Sequence, residues 1–224
     1  MNKRILICSM ITGASTFIAS TVSSQPRTIA PDLSALVQSQ GLQIHNRSVT
    51  AFEDANRKGI RMNAAGGDGV VFLKGVEFSN GTIEFDVRGK DVQGQSFVGV
   101  AFHGVDSTTY DAVYFRPFNF LATDSARHAH AVQYISHPTY TWDKLRNEHA
   151  GIYEKPVDPA PNPNEWFHAR VVVAGPTVTV FVAGAREPSL VVKRLSERTK
   201  GLVGLWVGNG SDGSFSNLSI KPGQ

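Results

Sequence analysis

Hydrophobic and polar positions alternate along most of the chain. In Gly81–Gly89 (GTIEFDVRG), Ile83, Phe85 and Val87 fall on one side and Glu84, Asp86 and Arg88 on the other, the period-two pattern of a strand with one buried face. Runs of the same kind recur at Gly69–Gly75, Ser96–Gly104, Tyr110–Pro117, Ala131–Ser136, Trp166–Ala174, Thr177–Ala183, Leu190–Lys193, Gly201–Gly208 and Ser214–Lys221. Each is short, rich in Val, Ile, Phe and Tyr, and bounded by Gly, Pro, Asn or Asp. Helical periodicity is confined to a short stretch around Leu33 to Val37 and another in which Thr141 caps a turn through Arg146, with Gly151 ending it. The pattern predicts an all-β, two-sheet antiparallel sandwich of the jelly-roll kind.

One segment interrupts the rhythm. Residues 137–165 carry Pro156, Pro159, Pro161 and Pro163, which impose an extended connection, together with Tyr140, Trp142 and Tyr153, which predict that the loop packs down. Long ordered loops in compact β domains are usually functional or disordered.

The N-terminus changes the picture of charge and redox state. Lys3 and Arg4 precede an uncharged, apolar stretch from Ile5 to Val22 that ends in small residues, so 1–24 reads as a secretory signal cleaved after Ser24. Residues 25–44 then form an N-terminal extension and 45–224 the sandwich domain. Cleavage removes Cys8, the only cysteine, so the mature domain rests on its core without disulfides. It also lowers Lys plus Arg from 22 to 20 against 19 Asp plus Glu. That near-neutral balance, with no basic stripe, argues against nucleic-acid binding. No later segment has the length and apolarity of a membrane span. The expected location is secreted or periplasmic.

Candidate chemistry concentrates between Ser96 and Arg116. Val98, Val100, Phe102, Val113 and Phe115 make one bulky face. Gly99, Ala101 and Ala112 make the other, ringed by His103, Tyr114 and Arg116. Small side chains edged by donors and an aromatic suit a sugar, whose hydroxyls need hydrogen bonds and whose C–H face stacks on rings. The same face is equally readable as an ordinary half-exposed sheet. His128 and His130 would share a face if they lay on a strand, but these spacings give no metal-ligand set. Glu84 and Asp86 alternate as two carboxyls would in a glycosidase, and equally as a solvated strand face would. No G-x-S-x-G elbow occurs. No cofactor is implied.

The order of these motifs resembles the concanavalin A-like lectin/glucanase superfamily. It runs GTIEFDVR at Gly81–Arg88, FVGVAFH at Phe97–His103, YFR at Tyr114–Arg116, WFHARVVV at Trp166–Val173, TVTVFVAG at Thr177–Gly184, and GLVGLWVG with FSNL at Gly201–Leu218. It is similar in particular to bacterial secreted domains of the 3-keto-disaccharide hydrolase (DUF1080) type and their laminin-G-like relatives. The resemblance implies the sandwich and a carbohydrate context, not one activity. Where the superfamily's glucanases carry E-x-D-x-x-E, this chain has Glu84, Asp86 and then Gly89, so the general acid of that signature is absent.

Three functions follow as expectations. The first is a saccharide-binding sandwich, with Tyr114, Arg116, Gln133, Tyr134 and Trp142 as ligand contacts and 137–165 closing the groove. The second, implied by the DUF1080 resemblance, is a hydrolase or lyase of oxidised disaccharides or glycosides, with His103 as base ahead of Asp143 or Glu148. The third is a non-catalytic envelope or adhesion module. The oligomeric state is not legible.

Overall fold

The computed structural model describes residues 27–54 and 57–223; the expected signal segment 1–24, with Cys8, lies outside them. The elements in chain order are α1 (Leu33–Gln38), β1 (Leu42–His45), β2 (Val49–Asp54), β3 (Arg57–Met62), β4 (Gly69–Phe78), β5 (Gly81–Arg88), β6 (Val98–Gly104) and β7 (Asp111–Phe115). They continue with α2 (Ser125–His128), β8 (Val132–Ser136), α3 (Trp142–Glu148), β9 (Glu154–Lys155), β10 (Phe167–Ala174), β11 (Thr177–Val182), β12 (Leu190–Lys193), β13 (Gly201–Val207) and β14 (Gly213–Pro222).

Among the described residues the strands form two antiparallel seven-stranded sheets. The first runs β1-β4-β13-β6-β7-β8-β9 and the second β12-β11-β10-β5-β14-β3-β2. Their inner faces meet through aromatic contacts: Phe115 on β7 lies 6.5 Å from Phe85 on β5 and 5.3 Å from Phe167 on β10. This is the packing of a β-sandwich, with alternate residues of each strand in the core. β5 keeps the alternation its sequence shows, with Ile83, Phe85 and Val87 fully buried.

The central strands of the first sheet depart from it. Every residue of β6, β7 and β8 is buried. The outer face, readable from the sequence as a ligand trough or as a half-exposed sheet, is covered by residues of the loops before β6, between β7 and β8, and between β8 and β9. No helix among the described residues is long and apolar enough to cross a membrane.

A buried carboxylate ties the two sheets at one end. The connection from β12 to β13 passes Asp111, whose Oδ2 accepts from Ser196 Oγ at 2.6 Å and whose Oδ1 accepts from Arg198 Nη2 at 2.8 Å. His103 Nδ1 stands 3.4 Å away. Burial pushes the Asp111 carboxyl up, but His103, Ser196, Ser136 and the Arg198 charge outweigh it and hold it below the usual range. A carboxyl depressed in the fold contributes stability above its unfolded pKa of about 3.9 and loses it as pH falls through the folded value. Asp111→Asn should therefore unfold at lower urea than the native chain at pH 7, and the gap between the two midpoints should narrow towards pH 3.

Candidate functional site

The outer face of the first sheet carries a cavity of about 630 Å³, within the range of small-molecule sites. Its floor is aromatic. In one cross-strand row Trp206 on β13 pairs with Gly99 on β6, which pairs with Tyr114 on β7. Strands two apart are separated by about 9.6 Å, yet the Trp206 and Tyr114 ring centroids are 4.8 Å apart. The two rings therefore lean together over Gly99. Phe97 completes the floor edge-on to Tyr114 at 6.1 Å.

Beneath and beside this floor lies a polar network. Tyr114 Oη donates to Gln133 Oε1 at 2.8 Å and accepts from Arg116 Nη2 at 2.7 Å. Arg116 also donates to Gln133 Oε1 and, through Nη1, to the His130 carbonyl at 3.0 Å. Enclosure pushes the Tyr114 phenol up to about 12, so it is a neutral hydroxyl. Glu154, 3% exposed, anchors the outer wall: Arg146 grips it with Nε at 2.9 Å and Nη2 at 2.7 Å, Arg116 Nη1 lies 3.5 Å away and His130 Nε2 3.2 Å. The bidentate grip fixes α3, whose Trp142 is 50% exposed at the cavity rim with the Arg146 guanidinium 5.1 Å from its ring.

A second part of the wall is acidic and imidazole-bearing. Asp68, just before β4, and His137, just after β8, both line the cavity, with His137 Nε2 3.9 Å from Asp68 Oδ2. Tyr110 stacks on the His137 ring at 5.1 Å and 11° and donates to Asp68 Oδ2 at 3.1 Å. Trp206 Nε1 in turn donates to Tyr110 Oη at 3.0 Å. Burial pushes the Asp68 carboxyl up and the His137 imidazole down, each opposed by the other's charge. The surroundings of the two groups thus draw their pKa values towards each other.

The structure brings together only part of the expected set. Tyr114, Arg116, Trp142 and Asp143 line the cavity. Gln133 faces it from below but is wholly buried as the acceptor for Tyr114 and Arg116. Arg116 itself is 4% exposed and has its guanidinium occupied, so it braces Tyr114. Tyr134 points the other way: adjacent strand residues face opposite sides, and Tyr134 pairs with core-facing Val113, its Oη accepting from Leu195 N at 3.1 Å.

His103 is likewise apart from Arg116. The register shift opposite Val203 puts Phe102 and His103 across from one residue of β13, with His103 at φ 49°. That bulge breaks the alternation. The His103 ring is fully buried, 6.0 Å from Phe78, with Nε2 donating to the Ser79 carbonyl at 2.6 Å. A trough shared by His103 and Arg116 does not form. Glu148 lies five residues after Asp143, about 140° around α3, and is exposed away from the cavity.

His128 ends α2, so it shares no strand face with His130. Among the described residues no group of three or more His, Cys, Asp or Glu is placed to hold a metal ion. Glu84 and Asp86 lie on the second sheet, where Asp86 accepts from Arg57, His168 Nδ1 (2.9 Å) and Asn217 Nδ2 (2.8 Å). Asp68, Tyr110 and Trp206 carried no signal in the sequence as site residues, and His137 stood out only as one of the four histidines at positions 103, 128, 130 and 137.

Solved structures share this architecture. A protein of unknown function with a galectin-like fold from Bacillus subtilis is 11% identical, with a TM-score of 0.57 over 86% of this chain and 94% of that one. The carbohydrate binding module CBM66 from Bacillus subtilis is 16% identical, with a TM-score of 0.56 over 80% and 95%. The VIP36 exoplasmic/lumenal domain in its Ca2+/Man-bound form is 11% identical, with a TM-score of 0.55 over 86% and 88%. At these identities the likeness is one of fold. No curated protein matches the sequence. Residues 39–221, nearly the whole sandwich, match a single family profile, and the chain belongs to the 3-keto-alpha-glucoside-1,2-lyase-like domain family.

Proposed function

We propose that this is an exported protein that binds a saccharide in the outer cavity of the first sheet. The observation that carries the reading is the paired floor of Trp206 and Tyr114 with exposed Trp142 at the rim. Flat apolar rings bordered by polar side chains match a pyranose, which offers C–H faces and a ring of hydroxyls. Membership of a lyase-like family named for glucosides supports a glycoside ligand. So does the presence of a carbohydrate binding module and a domain solved in a Ca2+/Man-bound form on the same fold. The leader read at 1–24 supports export.

Calorimetric titration with a panel of α-glucosides and their 3-keto derivatives tests this. Trp142→Ala should weaken binding about tenfold, roughly 1.4 kcal/mol, while leaving the urea midpoint unchanged, because the indole is half exposed. Absence of binding across the panel leaves only the scaffold reading.

A second reading, that the bound glycoside is cleaved by elimination, is favoured by one observation. The Asp68–His137 pair lines the same cavity and is tied to its aromatic floor through Tyr110. Carboxyl and imidazole side by side in a ligand cavity are the parts of an acid–base centre.

A further inference from the structure

We propose that His137 is the base that removes the C2 hydrogen of a bound 3-keto-glycoside, with Asp68 positioned to hold the imidazolium that forms. This rests on the lyase reading above and assigns its chemistry to residues.

The geometry singles out this pair among the ionisable groups of the cavity. Arg116, Arg146, His130 and Glu154 are engaged with one another, Arg127 donates to the Phe118 carbonyl and Asn119 Oδ1, and exposed Asp143 bears on His137 through its charge. His137, in contrast, has no ring-nitrogen hydrogen bond among the described residues. Its plane is set by the stack on Tyr110 and its backbone by the His137 N–H donating to the Tyr110 carbonyl at 2.8 Å. Asp68 is fixed by the Tyr110 hydroxyl, which is itself held by Trp206 of the floor. The ring on which a sugar would stack and the proton-transfer pair therefore belong to one rigid unit. With the Nε2 proton on the side of Asp68, the other ring nitrogen keeps its lone pair.

Burial favours neutral His137, the form a base needs. The charged groups bearing on it are Asp68 and Asp143, both raising its basicity, and Arg47 acts on Asp68 from the β1–β2 turn. A ketone at C3 makes the C2 hydrogen acidic. His137 takes that proton, and the C–H pair becomes an enolate with its charge on the C3 oxygen. The enolate collapses back to the ketone, a C1–C2 double bond forms, and the C1–O bond breaks. The departing alcohol oxygen takes a proton from water and the imidazolium returns one to water. Nothing is oxidised or reduced overall.

The test uses methyl α-glucoside oxidised at C3 as probe, in deuterated water, with NMR following deuterium entry at C2 and methanol release. The native chain should do both. His137→Gln should lower both by about 10²–10⁴-fold, the worth of a general base, while calorimetric binding of the probe stays within threefold. Asp68→Asn should reduce the rate less and move the rising limb of the pH–rate profile to lower pH, because a lost negative charge makes the imidazole less basic. A merely structural role would leave that limb in place. Should the native chain bind the probe but neither exchange nor cleave it, or should His137→Gln keep the native rate, the proposal is overturned and saccharide binding stands. If the native chain does not bind the probe, both fail. An Asp68→Asn limb that does not move removes Asp68 from the mechanism.

Discussion

Replacing Glu154 with Ala is expected to destabilise the fold by about 3–5 kcal/mol, the cost of removing one partner of a buried ion pair, and to abolish saccharide binding with it. The carboxylate is 3% exposed and neutralises Arg146 and Arg116 together. Without it Arg116, 4% exposed, keeps a guanidinium in a closed site whose remaining partners, Tyr114, Gln133 and the His130 carbonyl, are all neutral. Arg146 loses its bidentate grip, and that grip is what fixes α3 and its Trp142 over the rim. Urea unfolding measures the first effect and calorimetry the second. Glu154→Gln, which keeps acceptor geometry without charge, should fall between. An Ala variant within about 1 kcal/mol of the native chain would mean that the network does not hold the wall.

Gly99→Ala should be nearly as damaging, by way of shape. A Cβ at Gly99 would stand 2.1 Å from the Val113 carbonyl oxygen and 2.6 Å from Tyr114 Cα, both backbone atoms of β7. That strand is held on its other side by pairing with β8, where Tyr114 opposes Gln133, so it cannot give way freely. Overpacking of this kind costs about 1–3 kcal/mol or more. The strain would fall on the row that carries Trp206 and Tyr114, so tryptophan fluorescence and saccharide affinity should change along with the urea midpoint. A variant as stable as the native chain would mean that the close approach of β7 does not require glycine at this position.

These two positions show how far the sequence could be read. Small residues at 99, 101 and 112 pointed to the correct face, but for an incomplete reason. Gly99 is small because the β7 backbone comes within 2.1 Å of where its Cβ would stand, and the Trp206 and Tyr114 rings lean together over it, with the space for a ligand above them. Period-two alternation located β5, β10 and β11 well, because each has one wet face. It missed β1, β2 and β9, which are edge strands, and β3, whose Arg57, Lys58 and Arg61 mask its pattern. Alternation also cannot foresee a bulge, so His103 was placed beside Arg116 although the extra residue turns it into the core. It did contain the means to separate Gln133 from Tyr134, since neighbours on a strand face opposite sides. Asp68 and His137 are 69 positions apart on different loops, and only the folded sheet brings them within 3.9 Å.

The chain's three tryptophans allow the saccharide to be located on one sheet or the other. Trp142 and Trp206 line the cavity, whereas Trp166 precedes β10 of the opposite sheet, held between Arg57 and Arg88 at 4.7 and 5.2 Å. In ¹H–¹⁵N spectra recorded while a glucoside or its 3-keto derivative is added, the indole N–H signals of Trp142 and Trp206 should shift and saturate together while that of Trp166 stays still. A saturating shift at Trp166 with Trp142 and Trp206 unmoved would place the saccharide on the other sheet and rule out binding in this cavity.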